Sequence, residues 1–380
     1  MDLQYSAEQE ILRSSAEKFL SERYDYRTFR TIADSEDGWS PDVWQAFAAL
    51  GWLGLPFSPD DGGSGGGAVE LALLMEAFGQ NLVIEPYLAT VVLSGGLIAA
   101  LGSAAEQRAL LPGIIEGQQR LALAHQDGED APAQVERRSD GYVLRGRKKL
   151  VLAASAADLL LVTAALGGGI GVFLVPKSTP GVTLRAYRMV HGGGAADLEL
   201  NKVALAPSAL LGANDDAARA IAMVLDRAIA ALSADAVGAI ATMVKATVEY
   251  TKTRVQFGQP IAKFQALQHR LVAMRVKEEE ARAASLFATL SLDGPPAMRA
   301  RSISSAKAKI GRCARLVQQE AIQLHGAIGT TSELPLGAYA RRLIAYEMLF
   351  GSTREHLRRY GSLIADPQVA AEGLLLTVST

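Results

Sequence analysis

Cysteine is almost missing from this chain of 380 residues. Cys313 stands alone, so an intramolecular disulfide is excluded and a reducing compartment fits. An excess of one charge is missing too. The 38 basic and 40 acidic residues are interspersed and leave a formal net charge of −2, so no stripe or tail advertises nucleic acid or an anionic membrane. A polyanionic ligand therefore needs a local pocket. No apolar run approaches the roughly 18 residues of a membrane span. Histidines number 5, and His325 has no His or carboxylate partners at metal-ligand spacing, which argues against zinc. The start, Met1-Asp2-Leu3-Gln4, has neither the basic and apolar regions of a secretory signal nor the Arg-rich, acid-poor character of an organelle presequence; a cytoplasmic location is expected. What is present is apolar bulk. Hydrophobic residues make up 49% of the chain, enough for a large core in two or three domains.

Periodicity divides the chain into three. Residues 1–118 read as a helical domain that begins with the capping box Ser6-Ala7-Glu8-Gln9. Ser40-Pro41 marks a second helix start and Gly51 its stop. The stretch from Asp60 to Gly67 reads as a flexible, glycine-rich loop; it lacks the Lys-Ser/Thr of a P-loop and the preceding strand of a dinucleotide fingerprint, which leaves a surface turn. Residues 119–215 change to short strand-like runs at 121–124, 142–144, 150–152, 159–164, 172–175, 182–185 and 198–203, predicting a small antiparallel β-domain, barrel or sandwich. Residues 216–380 read as a C-terminal four-helix bundle, four long helical stretches in which Phe264, Leu267, Leu271 and Met274 form one apolar stripe. The expected fold class is α+β.

One segment is more specific. Arg254-Val255-Gln256-Phe257-Gly258-Gln259-Pro260-Ile261, followed by Phe264-Gln265 and a helix through Gln268-His269-Arg270, resembles the signature of the acyl-CoA dehydrogenase superfamily. The order helices, β-domain, bundle extends that resemblance over essentially the whole chain. In appearance it is nearest to small subunits of pimeloyl-CoA dehydrogenases and to actinobacterial steroid-side-chain dehydrogenase subunits. The resemblance implies FAD. Arg254, Gln256 and Phe257 match the corner that reaches a neighbour's flavin, where a guanidinium meets the pyrophosphate. Gln323-Leu324-His325-Gly326-Ala327-Ile328-Gly329 resembles the segment at the adenine end, which carries over Gln323, His325, Gly326 and Gly329, with Ala327 in place of a second glycine. Ser352 and Arg354 are carried over as further cofactor contacts, although Arg354 stands where the family often has Gln and either meets a phosphate or faces solvent.

The implied reaction removes an α proton and a β hydride from an acyl-CoA thioester, the hydride going to flavin and the proton to a carboxylate. That carboxylate is missing from both customary places. Phe350 occupies one, directly before Gly351-Ser352-Thr353, and Ala228 the other. Seven residues beyond Ala228, and so on nearly the same helix face, lies Asp235 in the apolar stretch Ala234–Gly238, matching an acidic residue of the related subunits. It is the catalytic candidate, ahead of Asp226, Glu347 and Glu355. The alternative is an Asp paired with Arg or Lys in the bundle, or a polar contact at a subunit interface. Two β-domain segments also depart from the family: Leu123-Ala124-His125-Gln126 and Leu150-Val151-Leu152 lack its hydroxyl donors, leaving backbone amides to meet the flavin.

Two readings follow. In the first, an FAD-dependent dehydrogenase is active at its own flavin and passes electrons to an electron-transfer flavoprotein. In the second, a catalytically silent small subunit completes its partner's FAD site. Both imply a tetramer, homomeric or α2β2 with a related chain, and neither involves nucleic acid or membrane. A nitroalkane-oxidase reading needs an Asp where Phe350 stands. The alanines Ala228 and Ala231 suit a bulky acyl group or simple close packing.

Overall fold

The structure is a computed structural model that describes residues 4–129, 131–212 and 216–365. In chain order the elements are α1 (Ala7–Arg23), α2 (Tyr26–Asp34), α3 (Pro41–Ala49), α4 (Ala68–Gln80), a π-helical stretch (Leu88–Gly95), α5 (Gly96–Leu101) and α6 (Ala104–Ile115). Then come β1 (Leu121–Ala124), β2 (Gln134–Arg138), β3 (Gly141–Leu152), β4 (Leu159–Leu166), β5 (Gly169–Pro176), β6 (Val182–Arg188) and β7 (Gly194–Leu205). The described residues end with α7 (Ala217–Thr253), a small hairpin of β8 (Val255–Gln256) and β9 (Gln259–Pro260), α8 (Gln265–Leu290), α9 (Pro296–His325), α10 (Leu336–Met348) and α11 (Thr353–Ala365). The order is the expected one, helices before and after a β-region. No helix among the described residues is long and apolar enough to cross a membrane.

Contacts group the chain into two compact units. One contains the described chain up to Arg30, Ala68–Val83 and the described residues from Ile229 onward. Its bundle is wound around α9, which buries an Ala-, Ser- and Gly-rich face together with Ile303, Ile310 and Val317. Small residues let the helices close up. A Cβ on Gly79 of α4 would lie 1.8 Å from the Asp235 carbonyl of α7, and one on Gly238 would lie 2.1 Å from that of Glu76, so only glycine permits this crossing. The capping box at Ser6 is formed, with Ser6 Oγ accepting from the Gln9 amide at 3.2 Å. The bundle differs from the predicted four stretches: α10 and α11 are separate helices, because the chain turns through left-handed Phe350 and Gly351.

The other unit contains Thr31–Gly67 and Ile84–Ala228. Its seven-stranded sheet runs β1-β4-β2-β3-β7-β6, with β5 antiparallel to β4. The sheet is mixed where a wholly antiparallel one was expected. β1 pairs parallel with β4 in the register Leu121↔Leu159, since more than thirty residues separate them and no hairpin joins them. Leu144, Val151, Leu160, Val162, Phe173 and Leu198 fill its core. The π-helical stretch is tied to β1 by Thr90, whose hydroxyl donates to Leu121 O at 3.0 Å. Helix α3 starts on Ser40 and Pro41 as read, and Trp44 Nε1 donates to Gly117 O at 3.2 Å. The glycine-rich segment is a pinned turn and not a loose loop. The amides of Ser64, Gly65 and Gly66 donate to the carbonyls of Gly54, Phe57 and Leu55. A Cβ on Gly63 would lie 2.2 Å from Phe57 O, so its glycines serve close backbone approach.

Candidate active site

Asp235 lies in the interior of α7, 2% exposed. Both its carboxylate oxygens are taken by one guanidinium: Arg342 of α10 donates from Nε to Oδ1 at 2.7 Å and from Nη2 to Oδ2. The same Nη2 donates to Val83 O at 2.8 Å. This bidentate buried pair is the arrangement weighed above as the alternative for Asp235, an aspartate paired with Arg in the bundle. Both carboxylate oxygens are thus occupied, and reaching a substrate proton would require this bidentate pair to be broken.

The weaker base candidates are engaged as well. Glu347 accepts from the Thr353 amide at 2.8 Å and from the Thr353 hydroxyl at 2.7 Å, capping α11. Glu355 accepts from the Ser352 amide at 2.6 Å and hydroxyl at 2.7 Å, while Ser352 Oγ accepts from the Glu355 amide at 3.3 Å. These bonds from Ser352 hold the Glu355 carboxyl below its ordinary range. Ser352 is thereby a helix cap, and Arg354 beside it is exposed. Asp226 and Ala228 are buried on the first part of α7.

The cofactor candidates form a different environment. At the end of α7 the chain turns through the β8–β9 hairpin, pairing Gln256 with Gln259. Its two-residue tip, Phe257-Gly258, takes φ of +54° and +79°, as a type I′ turn demands. Phe257 is 90% exposed and makes one edge-on contact with Phe264, centroids 6.1 Å apart. Arg254 is exposed, and among the described residues no ion pair or side-chain hydrogen bond claims its guanidinium. The second segment leaves α9 as a tight 3₁₀ turn over Gly326–Thr330, with Gly326 at φ +65° and no atom within 4 Å of where its Cβ would be. Tyr250 joins the two. One turn before Arg254, its ring stacks on His325 with centroids 4.3 Å apart, and its hydroxyl donates to His325 O at 3.3 Å. His325 Nδ1 meets Ala321 O at 2.8 Å, and burial lowers the imidazole pKa. Gln323 is exposed beside it, and Gly329 is buried against His325. No hydrogen bond or ion pair joins Ser352 or Arg354 to this pair of segments among the described residues.

In the sheet unit, Leu150 has φ +50°, and its amide donates to Asp197 Oδ1 at 3.2 Å. That backbone donor is therefore engaged. Lys148, 1% exposed, donates to Asp127 at 2.6 Å and Thr163 at 3.0 Å; burial, then the Lys148 charge, lower His125 to about 4. No cluster of metal-ligating side chains occurs among the described residues.

Models of the acyl-CoA dehydrogenase N-terminal, middle and C-terminal domains match residues 6–118, 126–203 and 218–361. The chain belongs to the acyl-CoA dehydrogenase family. Members of this family are FAD-dependent oxidoreductases that act on the CH–CH bond of acyl-CoA. Among similar proteins, acyl-CoA dehydrogenase FadE27 of Mycobacterium tuberculosis is 29% identical over 352 residues, 89% of this chain and 91% of that one. The steroid acyl-CoA dehydrogenase Tcur3481–Tcur3483 superposes with a TM-score of 0.86 at 29% identity, covering 95% of this chain and 99% of that one. The ChsE4–ChsE5 complex of M. tuberculosis gives 0.89 at 25% identity, covering 96% and 99%.

Three residues escaped the sequence reading. Arg342 is 107 positions from Asp235, and no local pattern links them. Tyr250 had only its place one turn before Arg254 to mark it. Lys307, fully buried on α9, lies in a Ser-, Ala- and Lys/Arg-rich stretch where nothing distinguishes it from its solvent-facing basic neighbours. The Ser352/Glu355 box, by contrast, was there to be read as Ser-x-x-Glu before a helix.

Proposed function

We propose that this chain is one subunit of a two-chain acyl-CoA dehydrogenase, in which it completes an FAD site and the neighbouring chain supplies the base that removes the α proton. One observation carries the reading: both oxygens of Asp235 are held by Arg342 in a buried pair. Phe350 and Ala228 stand at the two customary base positions, and Glu347 and Glu355 are committed to capping α11. Similarity to the ChsE4–ChsE5 complex supports a heteromeric assembly.

The Arg254 hairpin and the Gly326–Thr330 turn fit a dinucleotide. An exposed guanidinium without a protein counter-ion suits a pyrophosphate, an exposed aromatic tip suits an apolar ring face, and Gly326 leaves its approach open. Bound there, FAD would supply the hydride-accepting chemistry. Arg254 would bind and neutralise its phosphates and Phe257 would cover part of it from water, while Tyr250 keeps the two segments in register through its stack on His325. An electron-transfer flavoprotein then serves as oxidant.

Expression separates this reading from one in which Asp235 is the base. Expressed alone, the chain should show little visible flavin absorbance and no acyl-CoA-dependent dye reduction; co-expressed with a related dehydrogenase chain, it should yield a yellow complex that reduces dye. In that complex Asp235→Asn should leave flavin bleaching by an acyl-CoA panel within a few-fold of wild type. A chain active alone, whose bleaching is abolished by Asp235→Asn with FAD retained, overturns the proposal.

A further inference from the structure

Buried nitrogen atoms surround the connection between α10 and α11. Lys307 on α9, fully buried, donates from Nζ to the Tyr346 carbonyl, and the ammonium lies 3.7 Å from the centre of the Tyr346 ring. His356 on α11 is 2% exposed, and its Nε2 lies 2.8 Å from the Phe350 carbonyl. Its Nδ1 is buried with no hydrogen-bond partner among the described residues. At the second of these carbonyls the chain turns through Phe350 at φ +55° and Gly351 at φ +98°. A phenylalanine in left-handed backbone is strained and persists only where its surroundings impose it. Helix α9 comes close here as well: a Cβ on Gly311 would meet Thr353 Oγ1 at 2.2 Å.

A carbonyl oxygen only accepts, so the proton of the neutral His356 ring resides on Nε2 and the lone pair on Nδ1. We propose that His356 is a positioning residue: its neutral Nε2–H form holds the Phe350–Gly351 turn, Lys307 pins the end of α10 beside it, and protonation at Nδ1 releases the turn. The added N–H would be buried with no acceptor in reach, and the resulting cation would face Lys307 from α9 and Arg359 on its own helix, with Glu355 as counter-charge. Lys307 in turn faces Glu347 of α10 and Glu355 of α11. The turn carries Phe350, which the resemblance puts at a customary base position of the family, so on the proposed function its release would move that position whichever chain supplies the base.

Burial, with smaller contributions from Lys307 and Arg359, lowers His356 to about 4, whereas in an opened turn it returns to its ordinary 6.5. Opening therefore takes up a proton in the interval between those values. By linkage, the opening equilibrium attributable to His356 rises about tenfold between about pH 8 and about pH 5.5.

Hydrogen exchange on the full chain tests this, read by mass spectrometry in peptides covering Leu349–Thr353. His356→Gln keeps an N–H donor for Phe350 O but cannot take the proton. The ratio of wild-type to H356Q exchange should be near one at about pH 8 and about ten at about pH 5.5. A ratio that does not change with pH overturns the proposal. Should H356Q fail to accumulate, the wild-type profile decides, each rate being divided by its intrinsic value. Exchange in the turn must then rise at least about tenfold more than in α8 over the same interval; a parallel change in both segments overturns the proposal.

Discussion

At the scale of single residues, the chemistry of this chain depends on what each carboxylate already holds. Asp235 resembles a base when viewed along the helix and a structural anion once Arg342 is seen across from it. The pair is asymmetric to mutation. Arg342→Ala leaves a carboxylate buried without a counter-ion and the Val83 carbonyl without its donor, and should destabilise the folded chain by about 3–5 kcal/mol. Asp235→Leu combined with Arg342→Leu removes both charges and should recover most of that loss, because a buried ion pair is worth little more than apolar packing of similar volume. Denaturant titration of the three proteins checks it, and a double variant as unstable as the single one would contradict it. The same logic governs Ser352. Its hydroxyl caps α11 and is bonded to Glu355, so Ser352→Ala should cost about 1 kcal/mol in the same titration, whatever the flavin does.

At the scale of elements, the β8–β9 hairpin shows local and functional demands in conflict. A type I′ tip accepts Asn or Gly readily and an aromatic poorly, yet Phe257 is held there at φ +54° with 90% of its surface open. Phe257→Gly should raise thermal stability by roughly 1 kcal/mol and, in the proposed assembly, loosen FAD, read as faster loss of visible absorbance on gel filtration. A glycine variant that is no more stable would show that the strain is absorbed elsewhere. Local signals of this kind explain what could be read beforehand. The caps at Ser6 and Ser40 and five of the seven strand runs needed only neighbours in sequence, and the structure has them. β2 was invisible because Gln134–Arg138 is mostly charged and exposed; it is recruited by register with β3, Val135 opposite Leu144. The runs at 142–144 and 150–152 are one strand, β3, interrupted in pattern by bulges near Gly146 and Val151. The parallel β1–β4 pair and the Asp235–Arg342 pair share a cause: each joins residues separated along the chain, where periodicity carries no information.

At the scale of the whole molecule, stability should follow the least compensated buried charge. Lys307 donates to a carbonyl and lies over an aromatic ring, with no ion pair among the described residues, and burial lowers its pKa from 10.5 to about 7, the more distant Glu347 and Glu355 pulling the other way. In the unfolded chain it holds its proton up to about pH 10.5, so between about pH 7 and that value unfolding takes up a proton. Stability must then increase with pH across this window and be independent of Lys307 below it, where both states are charged. Between about pH 7 and about pH 9 the gain amounts to roughly 2 kcal/mol. Opposing groups act later. Burial raises Cys313 from 9.0 to about 11, so from about pH 9 upward the unfolded chain loses a thiol proton that the folded chain keeps. Buried Tyr87 and Tyr346, both shifted upward by burial, do the same above 10.0. A maximum near about pH 9 is the expected outcome, seen as a higher urea midpoint there than at about pH 7. Lys307→Met removes the titrating amine and should flatten that rise while costing stability through the orphaned Tyr346 carbonyl. If the variant instead retains the wild-type slope, the proton taken up on unfolding belongs to another group, and the buried amine is not what sets the alkaline preference of the fold.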